Sequence, residues 1–168
     1  MDEVSEARLA DLYPGLADKV RQMASMLAAE DIYIRVTAGL RTVAEQDELY
    51  AKGRTAPGSI VTNVRGGFSW HNFGLAVDLV PGVIGLDPWQ PDWKAVESNG
   101  GKSLTSSYIR MVTVASSLGL QCGALWEHFK DYDHFQMNGQ FPVAEPNDEV
   151  RQLASGGIEK IWDQIQNA

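Results

Sequence analysis

Two short stretches carry three residues able to share one metal ion. Ser69-Trp70-His71-Asn72-Phe73-Gly74-Leu75-Ala76-Val77-Asp78 offers an imidazole and a carboxylate, and Asp131-Tyr132-Asp133-His134-Phe135-Gln136 offers a second imidazole. Two neutral imidazoles and a carboxylate (His71, Asp78 and His134) make the ligand set of a hydrolytic zinc site whose fourth position is open to water. Zinc lowers the pKa of such a water to about 7. A carboxylate must then take the water's proton and pass it to the leaving amine, and Asp131, three residues before His134, is the candidate. A cation must steady the oxyanion, and Arg41 in Gly39-Leu40-Arg41-Thr42 is the candidate for that. The chemistry expected from this set is zinc-dependent hydrolysis of a peptide bond.

Each of these residues also has a plainer reading. An Asp at a strand end is usually a turn former, a lone His usually packs or faces solvent, and Arg41 could simply cap the next helix. The chain has only three histidines, however, and two fall in these stretches among carboxylates. The third, His128, could displace His134 or close the site as a fourth ligand, making the zinc purely structural. Asp133 could be confused with Asp131, but its place next to His134 predicts that it points away from that ligand. Cys122 would need a nearby His to serve as a thiol nucleophile. With nothing beyond His128 to support that, it reads as a small buried apolar group.

Positioning these groups requires a sheet. Gly74 interrupts the first stretch, and residues 75–81 then read as a short strand stopped by Pro81. On it Ala76, Asp78 and Val80 share one face, and His71 reaches the same point from the preceding loop. Residues 134–137 are a second short strand with His134 and Gln136 on one face. If the two strands are adjacent, Asp78 and His134 meet. Upstream, residues 32–37 alternate as a strand, so Arg41 lies just beyond a strand end. Thr42 followed by Glu45 is a capping box opening a helix over 43–52. Gln46 and Tyr50 share a face of that helix, looking either into the cleft or into the core. Helices are also expected over 4–12 and 15–29, where Leu16, Val20, Met23 and Leu27 form one stripe. A further helix is expected over 104–118, stopped by Gly119. Residues 147–155 and 157–167 read as two short helices broken at Gly156-Gly157. The runs 53–67 and 82–101 read as irregular. Trp89 and Trp93 in the second run could stack on sugar rings, but packing is the preferred reading.

With these residues quoted, the chain resembles the M15-type zinc peptidases that cut peptidoglycan peptides, above all the phage endolysins that act as L-alanyl-D-glutamate peptidases. The shared signature is Ser69, His71, Gly74, Ala76 and Asp78, then Asp131 and His134. The similarity runs through Gly39-Leu40-Arg41-Thr42, Glu45-Gln46, Leu49-Tyr50, Gly53-Arg54-Thr55, Pro57-Gly58 and Val61-Thr62-Asn63 to Phe129-Lys130-Asp131-Tyr132. The resemblance implies His71, Asp78 and His134 as zinc ligands and Asp131 as base, with Arg41 and Ser69 near the substrate carbonyl. Gln46 is the further substrate-side candidate. Two departures stand out: Asp133 where such endolysins often have Pro, and Cys122-Gly123-Ala124-Leu125-Trp126 where they often have a Gly-Gly-x-Trp step. D-Ala-D-Ala carboxypeptidases and dipeptidases share a similar signature with Glu as base, and they remain the nearest alternative activity. A zinc-stabilised wall-binding module that does not cut is the alternative from another class.

Composition agrees with this reading. The 168 residues, 44% hydrophobic and 21% charged, suit one soluble α+β domain: a small, mainly antiparallel sheet surrounded by helices, with 145–168 as a helical segment packed on it. A net charge of −8 disfavours nucleic acid and anionic membranes as partners. One cysteine excludes an internal disulfide. No apolar run approaches the length of a membrane span, and the acidic start Met1-Asp2-Glu3 does not read as a signal peptide. A monomer is expected, and the family resemblance then implies a protein made in a host cytoplasm, released by a separate pore protein and acting on the cell wall during phage-mediated lysis.

Overall fold

The apolar stripe read in the second helix is the spine of the core. Leu16, Val20, Met23 and Leu27 are fully buried on α2 (Pro14–Ala28). They face α5 (Ser106–Ser117), which contributes Tyr108, Met111, Val114 and Ala115. The computed structural model describes residues 1–82, 90–96, 105–127, 130–139, 141 and 145–166. Trp89 and His128 lie outside them.

A four-stranded sheet lies beside this helix pair. β1 (Ile34–Ala38), β2 (Ala76–Pro81), β3 (Gln121–Cys122) and β4 (His134–Gln136) stand in the order β1-β2-β4-β3, and every pairing is antiparallel. The α+β class and the small antiparallel sheet are therefore as expected. β2 is central, and its apolar side chains are buried along its length. Helix α1 (Glu3–Leu9) packs on β1, where Ser5 Oγ accepts the Val36 N–H. α3 (Val43–Ala51) starts from the expected capping box: Thr42 Oγ1 accepts from Glu45 N, and Glu45 accepts from Thr42 N. A short α4 (Trp93–Val96) falls in the run read as irregular, and Trp93 is exposed rather than packed. No helix among the described residues is long and apolar enough to cross a membrane.

The last two helices, α6 (Asp148–Ala154) and α7 (Glu159–Gln166), fold back onto the metal-motif loop. Trp162 donates its indole N–H to the Phe73 carbonyl at 2.7 Å, and its ring lies against Tyr13. Gly74 ends the loop at φ +66, and a Cβ there would sit 2.9 Å from the Trp162 ring. Glycine is thus required twice over, for its left-handed backbone and for the close approach of the tryptophan.

Candidate metal centre and catalytic cleft

The strand pairing predicted from the motifs is present. Asp78 on β2 stands directly opposite His134 on β4, and Ala76 opposite Gln136. Cross-strand partners project from the same face, so the carboxylate and the imidazole meet without help from a flexible loop. His71 arrives from a 3₁₀ turn, Trp70–Phe73. Ser69 caps that turn with its hydroxyl toward His71 N, and Asn72 answers as the second half of a capping box. Asn72 does more than the sequence revealed. Its Oδ1 accepts from Gly67 N, and its Nδ2 donates to the carbonyls of Arg41 and Thr42, tying the metal loop to the segment that carries Arg41.

Three ligand atoms converge. His71 Nε2 lies 3.1 Å from Asp78 Oδ1, His134 Nδ1 lies 3.6 Å from the same oxygen, and the two nitrogens are 3.2 Å apart. A tetrahedral ion with bonds of about 2.1 Å would set its ligand atoms roughly 3.4 Å apart, so the triangle has the size zinc requires. The hydrogen-bonding roles agree. His71 Nδ1 sits 2.9 Å from the Gly39 carbonyl, which can only accept, so that nitrogen carries the proton and Nε2 is bare. His134 Nε2 sits 2.9 Å from Gln136 Oε1, leaving Nδ1 bare. With both rings neutral, three lone pairs face one another, an arrangement that a proton or a metal cation relieves. The titration tendencies point the same way. Burial raises the Asp78 carboxyl, but the two imidazoles, His71 foremost, outweigh it and hold the carboxyl well below the usual carboxylate range. Burial lowers His134, yet Asp78 pulls it up overall. The cluster draws positive charge, and among the described residues it is the one group of His, Cys, Asp or Glu with this convergence.

The cluster opens into a cleft of about 660 Å³ whose lining includes Arg41, Gln46, Ser69, Trp126, Asp131 and Asp133. Asp131 is therefore in reach of the space beside the metal position. Gly123 anchors it: the Gly123 carbonyl accepts the Asp131 N–H at 3.2 Å. Tyr108 fixes the next residue, donating to the Tyr132 carbonyl at 2.5 Å. Trp126 brings its ring to within 5.0 Å of the His134 ring.

One expectation changes. Asp133 does not point away from the site. Residues 132–133 form a bend before β4 begins, so strand alternation does not apply to them, and Asp133 lines the same cleft. Its carboxyl is pushed up to about 8, first by burial, then by the Asp78 charge and by a hydrogen bond with Asp131. A dication at the neighbouring cluster would pull it back down. Gln46 lines the cleft from a buried position. Its Oε1 accepts from Arg41 Nη1 at 2.7 Å, and its Nε2 donates to the Val64 carbonyl at 2.8 Å.

Arg41 is held between Gln46 and Asp78, with Nη2 3.2 Å from Asp78 Oδ2. It neutralises the outer oxygen of the ligand carboxylate and leaves Oδ1 facing the imidazoles. A lysine has one point charge and cannot span both partners. Arg41→Lys should weaken zinc binding by about 10- to 100-fold, the usual cost of a disturbed outer-shell contact. Competition with a chelator of known affinity checks this, and an unchanged affinity would remove Arg41 from the support of Asp78.

Comparison with known proteins places the chain in a family. Residues 10–99 match the VanY family profile and residues 62–137 an M15 peptidase profile, both described as D-alanyl-D-alanine carboxypeptidase. The chain is 37% identical over 129 residues to the peptidoglycan L-alanyl-D-glutamate endopeptidase CwlK of Bacillus subtilis, covering 76% of this chain and 74% of that one. Among solved structures, the Serratia marcescens L-Ala D-Glu endopeptidase ChiX superposes with a TM-score of 0.46 at 22% identity, covering 82% of this chain and 88% of that one. A profile spanning more than half the chain and a relative of that identity over three quarters of it leave one assignment: the protein belongs to the M15 peptidase family.

Proposed function

We propose that the protein is a zinc-dependent peptidoglycan endopeptidase that hydrolyses the L-Ala–D-Glu bond of stem peptides. The observation that carries this is the convergence of His71, Asp78 and His134 at the floor of a cleft that Asp131 also lines. The choice of bond follows the B. subtilis relative, a peptidoglycan L-alanyl-D-glutamate endopeptidase.

His71, Asp78 and His134 would hold zinc, which when bound would supply a Lewis acid and lower the pKa of water at the site. The chain's own residues do the rest. Asp131 takes the proton of the attacking water and returns it to the leaving amine of D-Glu. Arg41, which lines the cleft, steadies the developing oxyanion while it keeps the Asp78 carboxylate in place. Ser69 sets the turn from which His71 reaches the site. One chain provides every one of these groups, which is consistent with a monomer.

Removal of terminal D-Ala is the second reading, favoured by the description both family profiles carry. The deciding experiment is digestion of defined muropeptides with zinc-loaded protein, the products being weighed. A new N-terminal D-Glu is expected. Release of D-Ala would move the enzyme to the carboxypeptidase branch. Zinc bound at one equivalent without any product would make it a binding module. The lysin setting belongs to the same proposal and rests on the sequence resemblance. Added protein should clear a suspension of permeabilised bacteria, and intact walls after complete zinc loading would count against it.

A further inference from the structure

His134 faces the metal position through Nδ1, so Nε2 must hold the ring's single proton. The acceptor of that proton is the side-chain oxygen of Gln136. An amide, however, can present either end, and its NH₂ turned toward the ring would favour the opposite tautomer, with the proton where the metal should be. Something must fix the Gln136 amide.

Its own NH₂ donates to Gln121 Oε1 at 3.0 Å across the β3–β4 pair, where Gln121 and Gln136 are register partners. Gln121 Nε2 donates to Asn138 Oδ1 at 2.9 Å. Asn138 Nδ2 donates to the Phe141 backbone carbonyl at 2.8 Å. A backbone carbonyl can only accept, so it fixes Asn138. Asn138 then fixes Gln121, and Gln121 fixes Gln136. Turning one amide over would set like against like at both its ends, and turning all three would aim the Asn138 oxygen at the Phe141 oxygen. His71 has the same need met in one step by the Gly39 carbonyl.

We infer that Gln121 and Asn138 are positioning residues: with Gln136 they form an amide relay that carries the polarity of the Phe141 carbonyl to His134 and keeps Nδ1 bare for the metal. The inference rests on the reading of His71, Asp78 and His134 as ligands. Gln121 is the place to test it, because it is exposed and can be changed without opening the core.

Gln121→Met keeps the side-chain length and removes both the acceptor and the donor. Gln121→Glu still accepts from Gln136 but replaces the donor to Asn138 with a second acceptor oxygen. The methionine variant should bind zinc about tenfold more weakly, and the glutamate variant within about twofold of the parent. Nitrogen-15 spectra of the imidazoles, recorded before zinc is added and at a pH high enough for both rings to be neutral, give the second readout. His134 should shift from the Nε2–H form toward a mixture in the methionine variant only. The His71 signals should stay put in both variants, which shows that the site is folded. Unchanged affinity and tautomer in Gln121→Met would overturn the relay, as would an equal loss in Gln121→Glu. If the parent protein takes up no zinc, the ligand reading fails, and the His134 tautomer still decides the relay on its own.

Discussion

Replacing Asp131 by alanine should leave one zinc bound per chain while turnover falls by about 10²- to 10⁴-fold, the usual weight of a general acid–base group. None of the three ligand atoms belongs to Asp131, so the metal has no reason to leave. The fall should appear in kcat more than in KM, because the proton is moved during reaction and not during binding. Asp133 makes the test sharper. It lines the same cleft two residues from Asp131, so it is a neighbouring carboxyl placed to take over. If Asp131→Ala stays within a few-fold of the parent and only the double variant with Asp133→Ala is inactive, the base is Asp133. Steady-state cleavage of a defined muropeptide beside zinc analysis of each variant gives the answer.

A single methyl group at position 123 should do almost as much harm from outside the cleft. A Cβ on Gly123 would fall 2.3 Å from the Asp131 carbonyl oxygen and 2.9 Å from its Cβ. The first of these is backbone, with no side-chain rotation to relieve it. The segment carrying Asp131 must move, and the hydrogen bond from Asp131 N to the Gly123 carbonyl moves with it. Misplacing a reacting group by about 1 Å can cost on the order of 10²-fold in rate. Gly123→Ala is therefore expected to lose about that much activity while keeping its zinc, since His134 is held separately by the β2–β4 pairing. Near-normal turnover in this variant would mean that the Asp131 segment is not held by Gly123.

The features that could be read in advance were those with a local signal. Thr42 and Glu45 announce their helix by spacing alone, Gly119 ends another at φ +77, and the α2 stripe lies where a period of 3.6 puts it. The meeting of Asp78 and His134 was legible for a different reason: two motifs that must share an ion have to be neighbours, whatever their periodicity. Other features carried no such mark. β3 is two residues long, too short to show alternation. The 3₁₀ turn is capped by Ser69 and Asn72, where a reader looks for Glu or Gln at the second position. Asp133 was misplaced because a strand rule was applied to a bend. The pairing of Arg41 with Asp78 and the amide chain behind His134 join residues far apart in sequence, and spacing says nothing about which end of an amide faces which neighbour.

The indole of Trp162, bonded to the Phe73 carbonyl, ties the order of synthesis to the order of assembly. The His71 turn is made early, but the group that clasps it is made some ninety residues later. While the chain grows on the ribosome, His71 can be present, and then His134, without the turn being fastened. The candidate centre then gains its clasp only when translation has passed position 162, and a chain abandoned before that point carries His71, Asp78 and His134 but lacks the hydrogen bond that fastens the turn of the first.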